Sequence, residues 1–348
     1  MSQHDLSLAD GVDHQVAMVM DLNKCIGCQT CTVGCKTTWT EGDGRDYMYW
    51  NNVETRPGDG YPRDWESTGG GWTSEEHAQR QNGQIPSQAD YGEPWEFNYE
   101  EAVMNPEDAT LRPEGGSAEW GPNWDEDQGT GKHPNSYYFY LPRICNHCTH
   151  PTCVEACPRK ALYKREEDGV VLVDQDRCRG YRYCVEGCPY KKVYYNAVTG
   201  TSEKCIFCFP RIEGEGPDED VHAPVCAEQC TTQLRLVGYL DDRDGPIYTL
   251  VEQYEVALPL HPEYQTSPNV YYIPPFAPPQ IDPEGETTDF DRIPREYLED
   301  LFGEAVHDAL DTLARERETV RRGGDSEVME ILTSKNPAQQ YRLEVFDG

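Results

Sequence analysis

The chain has 348 residues, of which 63 are acidic and 30 basic, for a formal net charge of −33. Such a surface repels phosphate backbones, so nucleic acid is excluded as a partner. Only nine of the basic residues are lysine, the acid is spread along the chain, and aromatics make up 11%; this points to a folded protein adapted to high salt rather than a disordered acidic one.

Residues 1–15 are polar and read as a loose tail. They show no basic region leading into an apolar stretch, and no apolar run in the chain approaches ~18 residues, so neither a secretory signal nor a direct membrane span is expected. Val16 to Met20 reads as a strand leading into a first cysteine loop. Residues 36–139 form a cysteine-free insertion dense in Gly and Pro, which predicts few long elements. All seven tryptophans fall there (Trp39, Trp50, Trp65, Trp72, Trp95, Trp120 and Trp124), and they favour a docking face over a local core. Gly69-Gly70-Gly71 reads as a turn rather than a phosphate loop.

From Tyr140 to Pro210 the balance reverses, with eleven basic and eight acidic residues. Short β-rich runs follow at Val170–Val173 and Leu234–Leu240. Residues 255–295, rich in Pro and aromatics, predict an extended wrapping segment. Leu298, Leu301, Phe302, Val306, Leu310 and Leu313 fall at helical spacing and predict one helix over 295–322.

Fifteen cysteines punctuate this order. Their number is odd, the chain is long, and they come in tight C-x-x-C groups, which favours metal over disulfides. Motif one is Cys25, Cys28, Cys31, Cys35. Motif two is Cys145, Cys148, Cys153, Cys157. Motif three is Cys178, Cys184, Cys188, and motif four Cys205, Cys208, Cys226, Cys230. A short C-x-x-C loop lets two thiolates reach different irons of one cube, a third cysteine takes a third iron, and the fourth, expected at a helix start, ligates the other cluster of a pair. Structural zinc is the competing reading, but it uses two pairs rather than three cysteines plus a fourth before Pro.

By the spacing of its siblings, motif three should carry a cysteine at 181, where Tyr181 stands. An aromatic ring supplies no thiolate, so that cube corner loses its iron and a [3Fe–4S] cluster results; a [4Fe–4S] cluster with water or another side chain on the fourth iron is the alternative. Four, four, four and three ligands then use every cysteine. Ferredoxin-type pairing groups Cys25, Cys28, Cys31 and Cys230; Cys35, Cys205, Cys208 and Cys226; Cys145, Cys148, Cys153 and Cys188, each for a [4Fe–4S] cluster; and Cys157, Cys178 and Cys184 for the [3Fe–4S] cluster. Lys24, Arg143, Arg177 and Lys204 precede the four motifs and Lys36 follows the first; these cations are expected to stabilise the anionic clusters and raise their potentials. His147 and His150 beside motif two read as supporting or surface residues. No nucleotide loop, nucleophile elbow or H-E-x-x-H is present, so no catalytic residue is expected in this chain.

Taken together, DLNKCIGCQTCTVGCK, YMYWNNVETRPGDGYPRDWE, YKREEDGVVLVDQDRCRGYRYCVEGCPYKKVYYN and EKCIFCFPRI resemble the beta subunits of respiratory nitrate reductase and its relatives, the selenate, chlorate, dimethylsulfide and ethylbenzene oxidoreductases. The resemblance covers residues 16–250 and includes the aromatic residue at 181, where longer bacterial nitrate reductase subunits commonly have Trp. It implies a catalytic alpha subunit carrying a molybdenum bis-guanine-dinucleotide cofactor, nearest the cluster of Cys25, and a haem b subunit nearest the three-iron site. It also implies attachment to a membrane through partners, on the outer face after export, with the cytoplasmic face as the alternative. The expected fold is α+β. Residues 16–35 with 200–250 and residues 140–199 would form two ferredoxin-like units related by pseudo-twofold symmetry. The insertion at 36–139 would dock on the catalytic subunit, and residues 251–348 would follow as an extended segment and helix.

Overall fold

Val16–Asp21 is buried along its whole length, because both of its faces are covered. In the computed structural model, which describes residues 8–68, 85–91, 129–213 and 223–343, this strand is the middle of a five-stranded sheet. It pairs antiparallel with Arg235–Tyr239 and parallel with Val270–Ile273. Leu258–Pro259 and Tyr341–Arg342 close the two edges. Strand alternation sorts the side chains. Val16, Met18, Met20, Val237, Val270 and Tyr272 join the core that holds the cysteines. Ala17, Val19, Leu236, Tyr271 and Ile273 instead pack with Leu313, Val328 and Leu332 of the C-terminal helices. A sheet sandwiched in this way reads as a continuous apolar run, which is why Val16–Met20 shows no alternation.

Around the sheet lie four two-stranded ribbons. Asn52–Arg56 pairs with Phe139–Arg143, tying the two ends of the insertion together. Leu162–Lys164 with Val171–Val173 and Val193–Asn196 with Thr201–Lys204 are hairpins that follow motifs two and three. The architecture is mixed α and β, with small sheets and short helices.

Several expectations change. The tail is anchored from His14, which bonds Asp241 at 2.8 Å, while Gln15 is buried; residues 1–7 lie outside the described residues. The segment after 255 does not merely wrap, since Val270–Ile273 is buried inside the central sheet. The single helix expected over 295–322 is two, Arg295–Phe302 and Val306–Arg321. Gly303 divides them at φ 78°, and a Cβ there would come within 2.7 Å of Pro262. The last cysteine of each motif stands within or after a helix rather than at its start. Cys35 lies inside Thr30–Trp39, and Cys188 caps Tyr183–Gly187. Cys157 and Cys230 follow the helices Thr152–Glu155 and Val225–Glu228. Pro158 and Pro189 stop two of these helices, because the residue before proline avoids helical backbone.

Candidate metal centres

All fifteen cysteines are free thiols. Each motif opens with the same turn. The residue before the second ligand position is left-handed in all four: Gly27 at φ 68°, His147 at 43°, Gly180 at 65° and Phe207 at 55°. Gln29 and Arg182 are left-handed as well, each directly before a helix. Motif three therefore keeps the backbone of motif one, and Tyr181 occupies the place of Cys28, with its side chain exposed. A second repeat lies three residues past the last cysteine. Lys160, Lys191 and Gln233 are left-handed, and their N–H groups return to the carbonyls of Cys157, Cys188 and Cys230 at 3.0, 3.2 and 3.0 Å.

These turns bring distant thiols together. Cys35, Cys205, Cys208 and Cys226 line one small cavity. Cys145, Cys148, Cys153 and Cys188 line another. Cys25 lies in the field of Cys31 and Cys230, and Cys28, exposed, lies 3.5 Å from the hydroxyl of Thr231. Cys184 lies in the field of Cys157 and Cys178. The Ser202 amide donates to Cys178 Sγ at 3.3 Å, and Cys184 Sγ lies 3.3 Å from the Ser202 hydroxyl. The sets also adjoin one another, since Cys226 feels Cys31 and Cys205 feels Cys145.

Burial, reinforced by neighbouring thiols, pushes Cys25, Cys148 and Cys226 up to about 12 and Cys184 to about 11, and also raises Cys35 and Cys153 well above the ordinary thiol range. Such thiols ionise only when cations replace their protons, so binding metal here expels protons. Among the described residues no group of three or more His, Cys, Asp or Glu side chains is placed to hold a single metal ion.

The surroundings fit an anionic group rich in acceptors. Trp39 Nε1 donates to Cys208 Sγ at 3.1 Å, Arg235 Nη1 to Cys226 at 3.3 Å, and the Phe207 amide to Cys205 at 3.4 Å. Trp50 lines the first cavity, and its buried Nε1 has no partner among the described residues. His147 lines the second. Its Nδ1 accepts from the Val171 amide at 3.1 Å; burial, then the charges of Lys204 and Lys164, keep it neutral. Its proton therefore sits on Nε2, which has no partner either.

The lysines beside the motifs turn inward, except Lys160, which is exposed. Lys36 Nζ donates to the carbonyls of Arg45, Asp46 and Met48 at 2.6, 2.8 and 3.1 Å. Lys164 does the same to His147, Cys148 and Gly169 at 3.1, 3.1 and 2.6 Å. Lys204 holds Val171 and Cys205, Lys192 holds Tyr49 and Asn52, and Lys24 reaches Gln233 at 3.5 Å. Arg143 and Arg177 are placed otherwise. Arg143 is buried, but it is bound up with Glu54 and lies 3.6 Å from the Trp65 ring centroid. Arg177 is exposed at 3.9 Å from Asp174, where solvent screens its charge.

Trp50 and Trp65 are buried, Trp65 packing on Arg143, so these two do not offer a docking face; Trp39 is half-buried with its indole N–H on Cys208. Trp72, Trp95, Trp120 and Trp124 lie outside the described residues. Arg235 is the site residue that motif spacing misses. Its signal is a lone charge inside the apolar run Leu234–Leu240.

Residues 136–240 match the family described as a 4Fe-4S dicluster domain. With the thiol sets above, this defines an iron–sulfur protein of the ferredoxin class. The respiratory nitrate reductase beta subunit of Haloferax mediterranei is 75% identical over 98% of this chain and 97% of its own length. The dimethylsulfide dehydrogenase beta subunit of Rhodovulum sulfidophilum is 56% identical over 95% and 99%, and the selenate reductase beta subunit of Thauera selenatis 54% over 94% and 99%. The chain belongs to this family of iron–sulfur, electron-transfer beta subunits of respiratory oxidoreductases. No helix among the described residues is long and apolar enough to cross a membrane.

Proposed function

We propose that the chain is the electron-transfer subunit of a molybdenum-dependent respiratory nitrate reductase, holding three [4Fe–4S] clusters and one [3Fe–4S] cluster. The first cluster takes Cys25, Cys28, Cys31 and Cys230, and the second Cys35, Cys205, Cys208 and Cys226. The third takes Cys145, Cys148, Cys153 and Cys188, and the three-iron site Cys157, Cys178 and Cys184. The observation that carries this reading is the pair of cavities, each lined by four thiols from two different motifs. The shared left-handed turns support two ferredoxin-like units related by a pseudo-twofold axis. Nitrate rests on the relative at 75% identity; selenate, chlorate and dimethylsulfide are the alternatives from relatives at 54 to 56%.

Each bound cluster supplies a one-electron store. The protein's part is to hold the thiolates at adjoining sites, donate N–H groups to sulfur and exclude water from the two inner cavities. The expected partners are a molybdenum catalytic subunit beside the Cys25 end and a haem b subunit beside the Cys157 end, with part of the 36–139 insertion on the former. The complex sits at a membrane through these partners, on its outer face.

Metal analysis and electron paramagnetic resonance of the purified, oxidised complex test the reading. About 15 irons held by this chain, beyond the iron of its partners, and a three-iron signal are expected; zinc with little iron overturns it. Assay of the same complex with nitrate, chlorate and selenate decides the substrate.

A further inference from the structure

Arg235 has no exposed surface. It stands at the start of the strand Arg235–Tyr239, opposite Met20 of the central strand, so its side chain enters the core on the cysteine side of the sheet. One nitrogen, Nη1, lies 3.3 Å from Cys226 Sγ and 3.6 Å from Met18 Sδ. The other, Nη2, donates to Asn51 Oδ1 at 2.7 Å. The third, Nε, is buried without a partner among the described residues. No carboxylate is paired with this guanidinium among the described ion pairs; the groups whose charges act on it are Cys226, Cys31, Cys230 and Cys25, in that order. Cys226 belongs to the second thiol set and the other three to the first.

A buried guanidinium without a carboxylate is costly unless other anions compensate it. Here only ionised thiolates, and what they bind, can do so, and they lie in two sets. We propose that Arg235 is a positioning residue shared by the first and second sites: one fixed cation that offsets the negative charge of both, raises both reduction potentials together and eases the simultaneous reduction of neighbouring centres. This rests on the cluster assignment above. The Asn51 bond fixes the fork, so the charge keeps its place beside Cys226 and within the field of the first set. Arg177, exposed beside motif three, would act weakly on any site.

The test is a redox titration of the intact complex followed by electron paramagnetic resonance, comparing wild type with Arg235→Met and Arg235→Gln. Iron content and the three-iron signal should persist, while two of the four centres become harder to reduce. Each should shift by a factor of ten or more in its reduction equilibrium, which is about 59 mV for a one-electron couple. Arg235→Lys, which retains the charge, should restore most of both shifts, and Arg177→Gln should move neither centre.

A shift at one centre alone, or at none, overturns the proposal. So does loss of iron from all four sites alike in both neutral variants, which would make Arg235 a folding residue only. If the wild-type complex itself lacks four centres, the cluster assignment fails instead, so the two failures are told apart.

Discussion

Trp39 and Cys208 join motif one to motif four: the indole N–H at the end of helix Thr30–Trp39 lies 3.1 Å from a sulfur 169 residues away. A donor to a thiolate stabilises its more negative form and so favours reduction. Trp39→Phe keeps the ring and removes the donor. One centre should fall in potential by up to ~60 mV, about tenfold, with iron content unchanged. A redox titration checks this, and an unmoved potential would show that the bond has no electronic role.

Tyr181 stands on a backbone already shaped for a ligand. Tyr181→Cys should therefore fold, because the replaced side chain is 55% exposed and few packing contacts are lost. The three-iron signal should diminish and iron should rise towards about 16 per chain. Retention of the full signal would mean that the vacancy is not set at this position.

Gly180 closes that loop. It lies at φ 65°, and a Cβ would come within 2.4 Å of the Gly200 carbonyl oxygen. Gly180→Ala should cost ~1–3 kcal/mol and weaken the three-iron signal before any other. Denaturant unfolding with the signal monitored in parallel checks both effects.

Glu54 is fully buried between Arg143 and Arg56, the latter at 3.0 Å. Burial alone would raise its carboxyl, but Arg143, Arg56 and Lys192 together hold it down at about 2. Glu54→Gln leaves two buried guanidinium groups without their common anion, and should destabilise by roughly 3–5 kcal/mol. The midpoint of denaturant unfolding measures it.

The four cysteine motifs were legible because a C-x-x-C turn is local and needs few residues to define it. Val16–Asp21 was legible because burial on both faces writes itself as an unbroken apolar run. Other features depended on partners distant in sequence. Periodicity carried Leu298 through Leu313 as one helix, while the break at Gly303 is set by Pro262 packing against it. The burial of Trp50 and Trp65, and the contact of Trp39 with Cys208, depend on sulfur and guanidinium groups that no local pattern announces. Arg235 was hidden in a strand whose neighbours are all apolar.

His261 gives the pH dependence of the scaffold. It is buried, stacked on Tyr264 at 5.0 Å, and bonded to Glu263 at 2.7 Å and Glu66 at 3.0 Å. Burial lowers its pKa, but the two carboxylates outweigh burial and raise it above 6.5. A raised folded value means that the stabilisation is complete below 6.5 and is lost as pH rises through the folded value. His261→Gln should therefore cost about 2 kcal/mol at pH 6 and progressively less towards pH 9. Thermal unfolding of both proteins across that range checks the sign; a gap that widens with pH would reverse it.

The inward lysines have a consequence for a protein with so acidic an exterior. Dissolved ions crowd around the acidic exterior and mute it, yet they cannot follow Lys192 or Lys204 into the interior. The electrical setting of the inner thiols is thus insulated from the medium, so the same wiring can operate whether the surrounding salt is dilute or near saturation.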